Sequence, residues 1–254
     1  MDLVEVRKRC PEWVNSAWWM AAGMRGSHAH GTFIPPEHEH GTDDTDVWVI
    51  TVQTPGHYAS LQPNRFECFE TAGEDLDILV YDARKWFGLL LKQNPNAHAW
   101  LWTDQIFATS DEWEMVESIR GRLISKQMFK HLIGYATGQL RMMSRGAPHG
   151  YMGEKRKALL TRYGYDIKNA AHCVRLLHIA RHLGDTGELL VRLPKAELEE
   201  IKLVKSGQVA LRDLIDRVAE LRILAANAER ASQLPAEIPV DAFERLWGMV
   251  LNDV

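Results

Sequence analysis

The sequence predicts an α+β protein: a small mixed lobe over residues 1–108, then a mainly helical lobe over 109–254. Three observations carry this expectation. Short β-rich runs alternate with helical stretches up to about residue 100, and helical periodicity dominates afterwards. Apolar residues make up 46% of the 254, enough for one large or two small cores. Internal repeats, heptads and low-complexity segments are missing from the sequence, so solenoids, coiled coils and disordered chains drop away.

Taken in order, Val14, Ala17, Trp18 and Ala21 recur at three- and four-residue spacing and predict an opening helix that runs into Met20–Gly31, where glycines break it. β-rich runs follow at Asp46–Val52 and Leu76–Tyr81. Ala83–Lys92 predicts a helix that stops at Asn94-Pro95, because a residue before proline is pushed out of the α region. From Ser110 the spacing predicts helices over 111–124, 126–144, 155–163, 168–184, 195–205, 208–230 and 240–252. Ser110 caps the first, and Pro239 stands just before the last. Leu189–Leu193 reads as an extended connection or a single strand.

Composition also bounds the function. Thirty basic against 34 acidic residues give a net charge of −4, which argues against coating nucleic acid through net charge and leaves only a local basic patch to hold a polyanion. No apolar run approaches the roughly 18 residues of a membrane span, and the N-terminal segment lacks the charged-then-apolar order of a signal peptide. The expectation is a soluble, cytoplasmic protein without membrane attachment. Cys10, Cys68 and Cys173 are too few and too scattered for a disulfide framework or a Cys-x-x-Cys metal site.

One constellation carries chemistry. Gly26-Ser27 forms a glycine-serine turn, and 17 positions after Ser27 the pair Asp44-Thr-Asp46 opens a strand. Residues two apart on a strand share a face, so Asp44 and Asp46 converge. Convergent carboxylates repel unless a cation lies between them, and a partly open set of oxygen ligands suits Mg²⁺ or Mn²⁺. A glycine-serine turn with free backbone N–H groups suits a phosphate. Together they spell metal-assisted nucleotidyl transfer.

These residues resemble the signature of the DNA-polymerase-β-type nucleotidyltransferase superfamily. The longer string is Gly26-Ser27-x-x-x-Gly31-Thr32, Asp44-x-Asp46, Tyr81-Asp-Ala-Arg-Lys-Trp86 and Leu89-Leu-Leu-Lys-x-Asn94-Pro95-Asn96. It is similar to a narrower group of predicted nucleotidyltransferases that includes RNA-repair-associated polymerase-β-like proteins. The likeness continues weakly through Lys168-x-x-x-His172-x-x-Arg175-Leu-Leu177 and Gly187-Glu-Leu-Leu-Val-Arg-Leu-Pro194. The resemblance implies a catalytic lobe of the polymerase-β type over 1–108, closed by the helical lobe. It implies that Gly26 and Ser27 hold the triphosphate of a nucleotide, ATP among them, and that Asp44 and Asp46 bind the metals. A third carboxylate is expected from the neighbouring strand: Asp77, with Asp75 as the fallback. The loop Phe33–Asp43 departs from the superfamily by its length, which touches acceptor or base preference.

Other features have two readings each. His28, His30, His38 and His40 form two His-x-His pairs that suit polar loop positions, a phosphate or base contact, or a zinc ion. Lys168, His172, Arg175 and His182 fall in a stripe about 80° wide on one helix. That stripe is either a solvated face or a nucleotide-binding face, and the resemblance favours the second. Between Arg141 and Arg162 six basic residues face one acid, with Tyr151 and Tyr163 interleaved. Arg145, Lys155, Arg156 and Lys157 are the candidate acceptor-binding residues there, a solvated helix and loop being the alternative. The tryptophans sit mostly at apolar spacings and read as core.

The leading expectation is an enzyme that moves a nucleoside monophosphate from a nucleoside triphosphate to a hydroxyl with release of pyrophosphate. An RNA end is the expected acceptor, ahead of a protein or small molecule. The alternatives are a catalytically silent nucleotide-sensing or partner-binding module on the same fold, and a zinc-dependent hydrolase using the histidine loop.

Overall fold

A computed structural model describes residues 1–35, 37–38, 43–61, 67–71, 76–144 and 160–252. The fold is α+β, as expected, and the chain divides into two compact units. Unit 1 comprises Met1–His30, Asp44–Ile124 and Glu237–Val254; unit 2 comprises Gly31–Asp43 and Ser125–Ala236. This division does not coincide with the expected cut between 108 and 109. Residues 109–124 and the final helix group with the sheet, and the long loop after Gly31 groups with the helical unit.

Unit 1 is organised on a five-stranded mixed sheet in the order β3-β4-β2-β1-β5. Its strands are β1 (Trp18–Met24), β2 (Thr45–Val52), β3 (Cys68–Thr71), β4 (Leu76–Asp82) and β5 (Ile106–Thr109). β2 and β4 pair in parallel, and the other neighbours are antiparallel. The expected opening helix is therefore corrected. Two short helices, α1 (Leu3–Arg9) and α2 (Glu12–Asn15), precede a strand that begins at Trp18. β1 lies between β2 and β5 with Met20, Ala21 and Ala22 fully buried. A strand covered on both faces loses its alternation and mimics helical spacing. Gly23 is required within β1, since a Cβ there would lie 2.7 Å from the Gln105 carbonyl oxygen and 2.8 Å from the Trp48 ring.

Each face of the sheet carries its own core. Val47, Val49, Ile78 and Val80 pack with Val6 and Val14 on one side. Trp48, Ile50 and Leu79 point to the other, against α5 (Ala83–Leu91), α6 (Pro95–Trp102), α7 (Asp111–Ser118) and the last helix, Val240–Asn252. Trp48 stacks on Trp100 with centroids 4.9 Å apart and touches Trp113, which stacks on Trp86. These tryptophans are buried, in line with their reading as core. α5 ends before Asn94-Pro95 as expected, but Pro95 then starts α6, with the Asn94 side chain accepting from the Asn96 and Ala97 amides. Asp82 caps α5 through the Arg84 amide and accepts 2.7 Å from the Tyr58 hydroxyl of α4 (Pro55–Ala59).

Unit 2 contains α8 (Gln127–Ser144), α9 (Ile167–Thr186), α10 (Lys195–Lys205) and α11 (Leu211–Ala231), with α9 packed against all three others. Cys173, Val174, Leu177 and Ala180 are buried on α9, as their spacing requires. Leu189–Leu193 is an irregular connection that bends at Val191 and Arg192, not a strand. The final helix of unit 1, Val240–Asn252, is α12. Among the described residues no helix is long and apolar enough to cross a membrane.

Candidate functional site

The site in unit 1 grows from the register of two strands. Because β2 and β4 are parallel and in register from Thr45↔Leu76 to Thr51↔Asp82, Asp46 lies directly opposite Asp77. Both precede core residues of the same sheet face by two positions, Trp48 on β2 and Leu79 on β4, so the two carboxylates emerge on one face. Asp44, two residues before Asp46, precedes the strand and is exposed. Asp75, Glu74 and His40 lie outside the described residues.

Gly26 approaches Asp46 so closely that a side chain would overlap the carboxylate; a Cβ would lie 3.0 Å from Asp46 Cγ, and φ is +60°. Only glycine accommodates both demands. The amide of Arg25 donates to the Asp46 carbonyl at 2.9 Å, so the turn is pinned to β2 by its backbone. Ser27 follows on the five-residue helix α3 (Gly26–His30), and its buried hydroxyl has no hydrogen-bond partner. A buried hydroxyl without a partner is costly, so the site calls for a polar ligand.

Sequence reasoning passed over two members of this site. Arg25 Nη2 lies 3.4 Å from Asp46 Oδ1 and 3.7 Å from Glu70 Oε1, on β3. No motif marks Glu70, whose relevance comes only from the sheet order β3-β4-β2. Arg25 stands immediately before Gly26-Ser27, and its place in the motif was the available signal.

Asp46 and Asp77 lie opposite one another on one sheet face, Arg25 stands beside Asp46, and the Ser27 hydroxyl lacks a partner, so two carboxylates and a hydroxyl are the hard oxygen donors on offer. Among the described residues, no three of His, Cys, Asp or Glu gather closely enough to form a metal-binding group. His28 and His30 lie on α3 in unit 1, whereas the exposed His38 belongs to the loop of unit 2.

Unit 2 carries the remaining candidates. Lys168, His172 and Arg175 are partly buried on α9. Arg175 has no hydrogen bond or ion pair among the described residues, and burial draws its guanidinium down to about 10. His172 Nε2 is buried without a partner, and burial lowers that imidazole as well. His182, the fourth residue of the stripe, is instead paired with Glu197 at 3.0 Å. Lys205 bonds the Asp43 carboxylate and the Thr32 carbonyl, and Asp43 also accepts from the Ile34 amide at 2.8 Å. Burial pulls Lys205 below the ordinary lysine range against the opposing effect of Asp43, with Lys168 and Arg175 adding to the lowering. Arg145, Lys155, Arg156 and Lys157 lie outside the described residues. Arg141 is exposed, and Arg162 rests 5.1 Å over the Tyr163 ring.

Residues 20–238 match the family described as the RNA repair pathway DNA polymerase beta family. No curated protein matches the chain. A solved structure of a nucleotidyltransferase-like protein from Exiguobacterium sibiricum 255-15 is similar at 11% identity, with a TM-score of 0.30 over 98% of this chain and 79% of that one.

Proposed function

Since the chain belongs to the RNA repair pathway DNA polymerase beta family, a nucleotidyltransferase family, we propose that it transfers a nucleoside monophosphate from a nucleoside triphosphate such as ATP to the hydroxyl of an RNA end. The observation that carries the reading is the register of Asp46 against Asp77, with Gly26-Ser27 fitted against Asp46. Asp44, Asp46 and Asp77 hold Mg²⁺ or Mn²⁺, which supplies positive charge at the triphosphate and the acceptor oxygen.

In the transfer the acceptor oxygen forms a bond to the α-phosphorus, and the bond from that phosphorus to the β-phosphate oxygen breaks. The electron pair leaves with pyrophosphate, and the hydroxyl proton passes to solvent. Ser27 Oγ and the backbone at Gly26 orient the triphosphate. Lys168, His172 and Arg175 bind phosphate, a role supported by the unpartnered His172 Nε2 and the partly buried Arg175 guanidinium beside it on the helix. Arg145, Lys155, Arg156 and Lys157 bind the polyanionic acceptor.

The test is incubation with α-phosphate-labelled nucleotides, Mg²⁺ or Mn²⁺, and RNA, DNA and protein acceptors. Label on RNA ends with equimolar pyrophosphate is expected. Label on protein or DNA alone would move the acceptor assignment. Binding of nucleotide without label on any acceptor would favour the silent sensing module.

A further inference from the structure

We infer that Lys205 of α10 is a further phosphate-binding residue of unit 2, with Asp43 as the stand-in for its ligand, and that with Lys168, His172 and Arg175 it takes a linear oligophosphate without a divalent metal. The inference rests on the phosphate role proposed above for the three α9 residues. To that role it adds Lys205 and the class of ligand.

The packing of α9 against α10 places Lys205 there. Lys168, His172 and Arg175 follow one another at steps of four and three residues, which puts them on one face of α9 about 60° wide at 100° per residue. Further along, His182 meets Glu197 and His178 meets Glu200, so a step of four back along α9 matches a step of three forward along α10. The two helices therefore run antiparallel. Continuing the same steps brings the end of α10, where Lys205 stands, level with His172 and Arg175. Lys205 is only 7% exposed, and its ammonium is turned inward onto Asp43 and the Thr32 carbonyl.

The charge at that level does not balance. Lys205 has Asp43, whereas Arg175 has no hydrogen bond or ion pair among the described residues and His172 Nε2 is buried without a hydrogen-bond partner. Lys168 adds its charge to the same place, since both it and Arg175 oppose protonation of Lys205. Nearby carboxylates are spent elsewhere: Glu197 and Glu200 on His178, Arg181, His182 and Arg217, and Asp166 on the Asn169 amide at 3.0 Å. Half-buried cations short of counter-charge are stabilised by an anion that carries several charges. Lys168 and Arg175 are seven residues apart, about 10 Å along the helix, a span that suits a chain of phosphates better than a single one. Arginine takes two phosphate oxygens in its planar fork, and lysine offers a point charge. In the proposed reaction such a ligand is the triphosphate or the pyrophosphate that leaves it. Asp43 sets the sign of the test, because an oligophosphate must compete with it for the Lys205 ammonium. Removing the Asp43 charge should tighten binding, and removing the Lys205 charge as well should undo that gain.

Titration calorimetry of the full chain with phosphate, pyrophosphate and tripolyphosphate in excess EDTA tests this, with thermal unfolding alongside. Wild type should bind pyrophosphate and tripolyphosphate about tenfold or more tightly than phosphate. D43N should bind pyrophosphate about three- to tenfold more tightly than wild type, and D43N/K205M about tenfold more weakly than D43N. R175Q, which breaks no contact among the described residues, should bind about tenfold more weakly than wild type. If D43N does not fold alone, pyrophosphate should restore its folded state by mass action, and failure to do so overturns the inference. It is also overturned if folded D43N binds pyrophosphate no more tightly than wild type, if K205M added to D43N changes nothing, or if phosphate binds as tightly as pyrophosphate. Binding by D43N with none by wild type supports it, and lack of binding by both overturns it. The enzyme reading fails separately: labelled transfer without metal-free pyrophosphate binding overturns this inference alone, and pyrophosphate binding without transfer overturns that reading alone.

Discussion

Helix α9 carries charged residues in both halves, and the halves differ in what surrounds them. In its C-terminal half, His178 lies 3.0 Å from Glu200 and 3.4 Å from Glu197, Arg181 and His182 both meet Glu197, and Arg217 of α11 closes on Glu200 at 2.7 Å. In its N-terminal half, Arg175 and His172 Nε2 have no such partner among the described residues. The first half ties α9 to α10 and α11 and uses up its charges in doing so. The second keeps charge available. The end of the sheet in unit 1 resembles the second half, with one guanidinium loosely shared between carboxylates and the Ser27 hydroxyl unpaired. Charge alone therefore says little, and whether its counter-charge is present says much more.

The comparison breaks if changes at the under-paired places cost stability while changes at the saturated places cost chemistry. The largest effect is expected at Asp46. Asp46→Ala should lower transfer of a labelled nucleoside monophosphate on the order of 10³-fold or more, with a thermal midpoint close to wild type. Asp77→Asn should also cost activity strongly while triphosphate binding partly survives, and an Asp46→Ala protein with full turnover would remove the site.

Lys205→Met comes next, in the opposite currency. It strands Asp43 in a buried setting and should destabilise by about 3 kcal/mol in urea unfolding, a loss that Lys205→Met/Asp43→Asn should largely restore.

Glu200→Gln should cost about 1 kcal/mol, since the network is partly exposed. Its pH signature is sharper. Burial alone would raise the Glu200 carboxyl, but hydrogen bonds from His178 and Arg217 and their charges hold it at about 2 against an ordinary 4.5. A depressed carboxyl favours the folded state above the unfolded value, so this contribution is complete above pH 4.5 and fades as pH falls toward about 2. Glu200→Gln should flatten the stability profile over that window. An unchanged slope would show that the network does not hold the helices.

The smallest stability effect is expected at Arg175→Gln. Folding should be unchanged or slightly improved, while polyanion binding weakens and its salt slope falls by about 1. If the variant binds polyanion like wild type at two salt concentrations, the N-terminal half of α9 is a solvated face.

The strand runs that carry Asp46 and Asp77 are legible in the sequence because β-branched and apolar residues mark them, and Gly26 because a tight turn needs its own residue type, whereas Asp44 falls before β2 and so outside the strand alternation expected of it. The helices over 195–205 and 240–252 appear where periodicity sets them. β1 is misread because burial on both faces erases alternation, and α6 because a proline that ends one helix can start the next. Arg25 and Glu70 come together only through a strand order that no local pattern encodes. The loop after Gly31 hides its anchor for the same reason, with Asp43 and Lys205 separated by 162 positions.

The nesting of one unit inside the other sets a timetable for synthesis. The five strands leave the ribosome early, yet Phe243, Leu246 and Val250 of α12, which complete the core around Trp48, Trp86 and Trp113, arrive only after the whole of 125–236 has been made. The unit that starts first therefore finishes last, and the apolar surface of α5 and α7 on which α12 packs stays uncovered while residues 125–236 emerge. At roughly 5–20 residues per second, those 112 residues correspond to an interval of about 6 to 22 seconds. Over that interval Phe87 of α5, which meets Trp247 of α12 edge to face, lacks that cover.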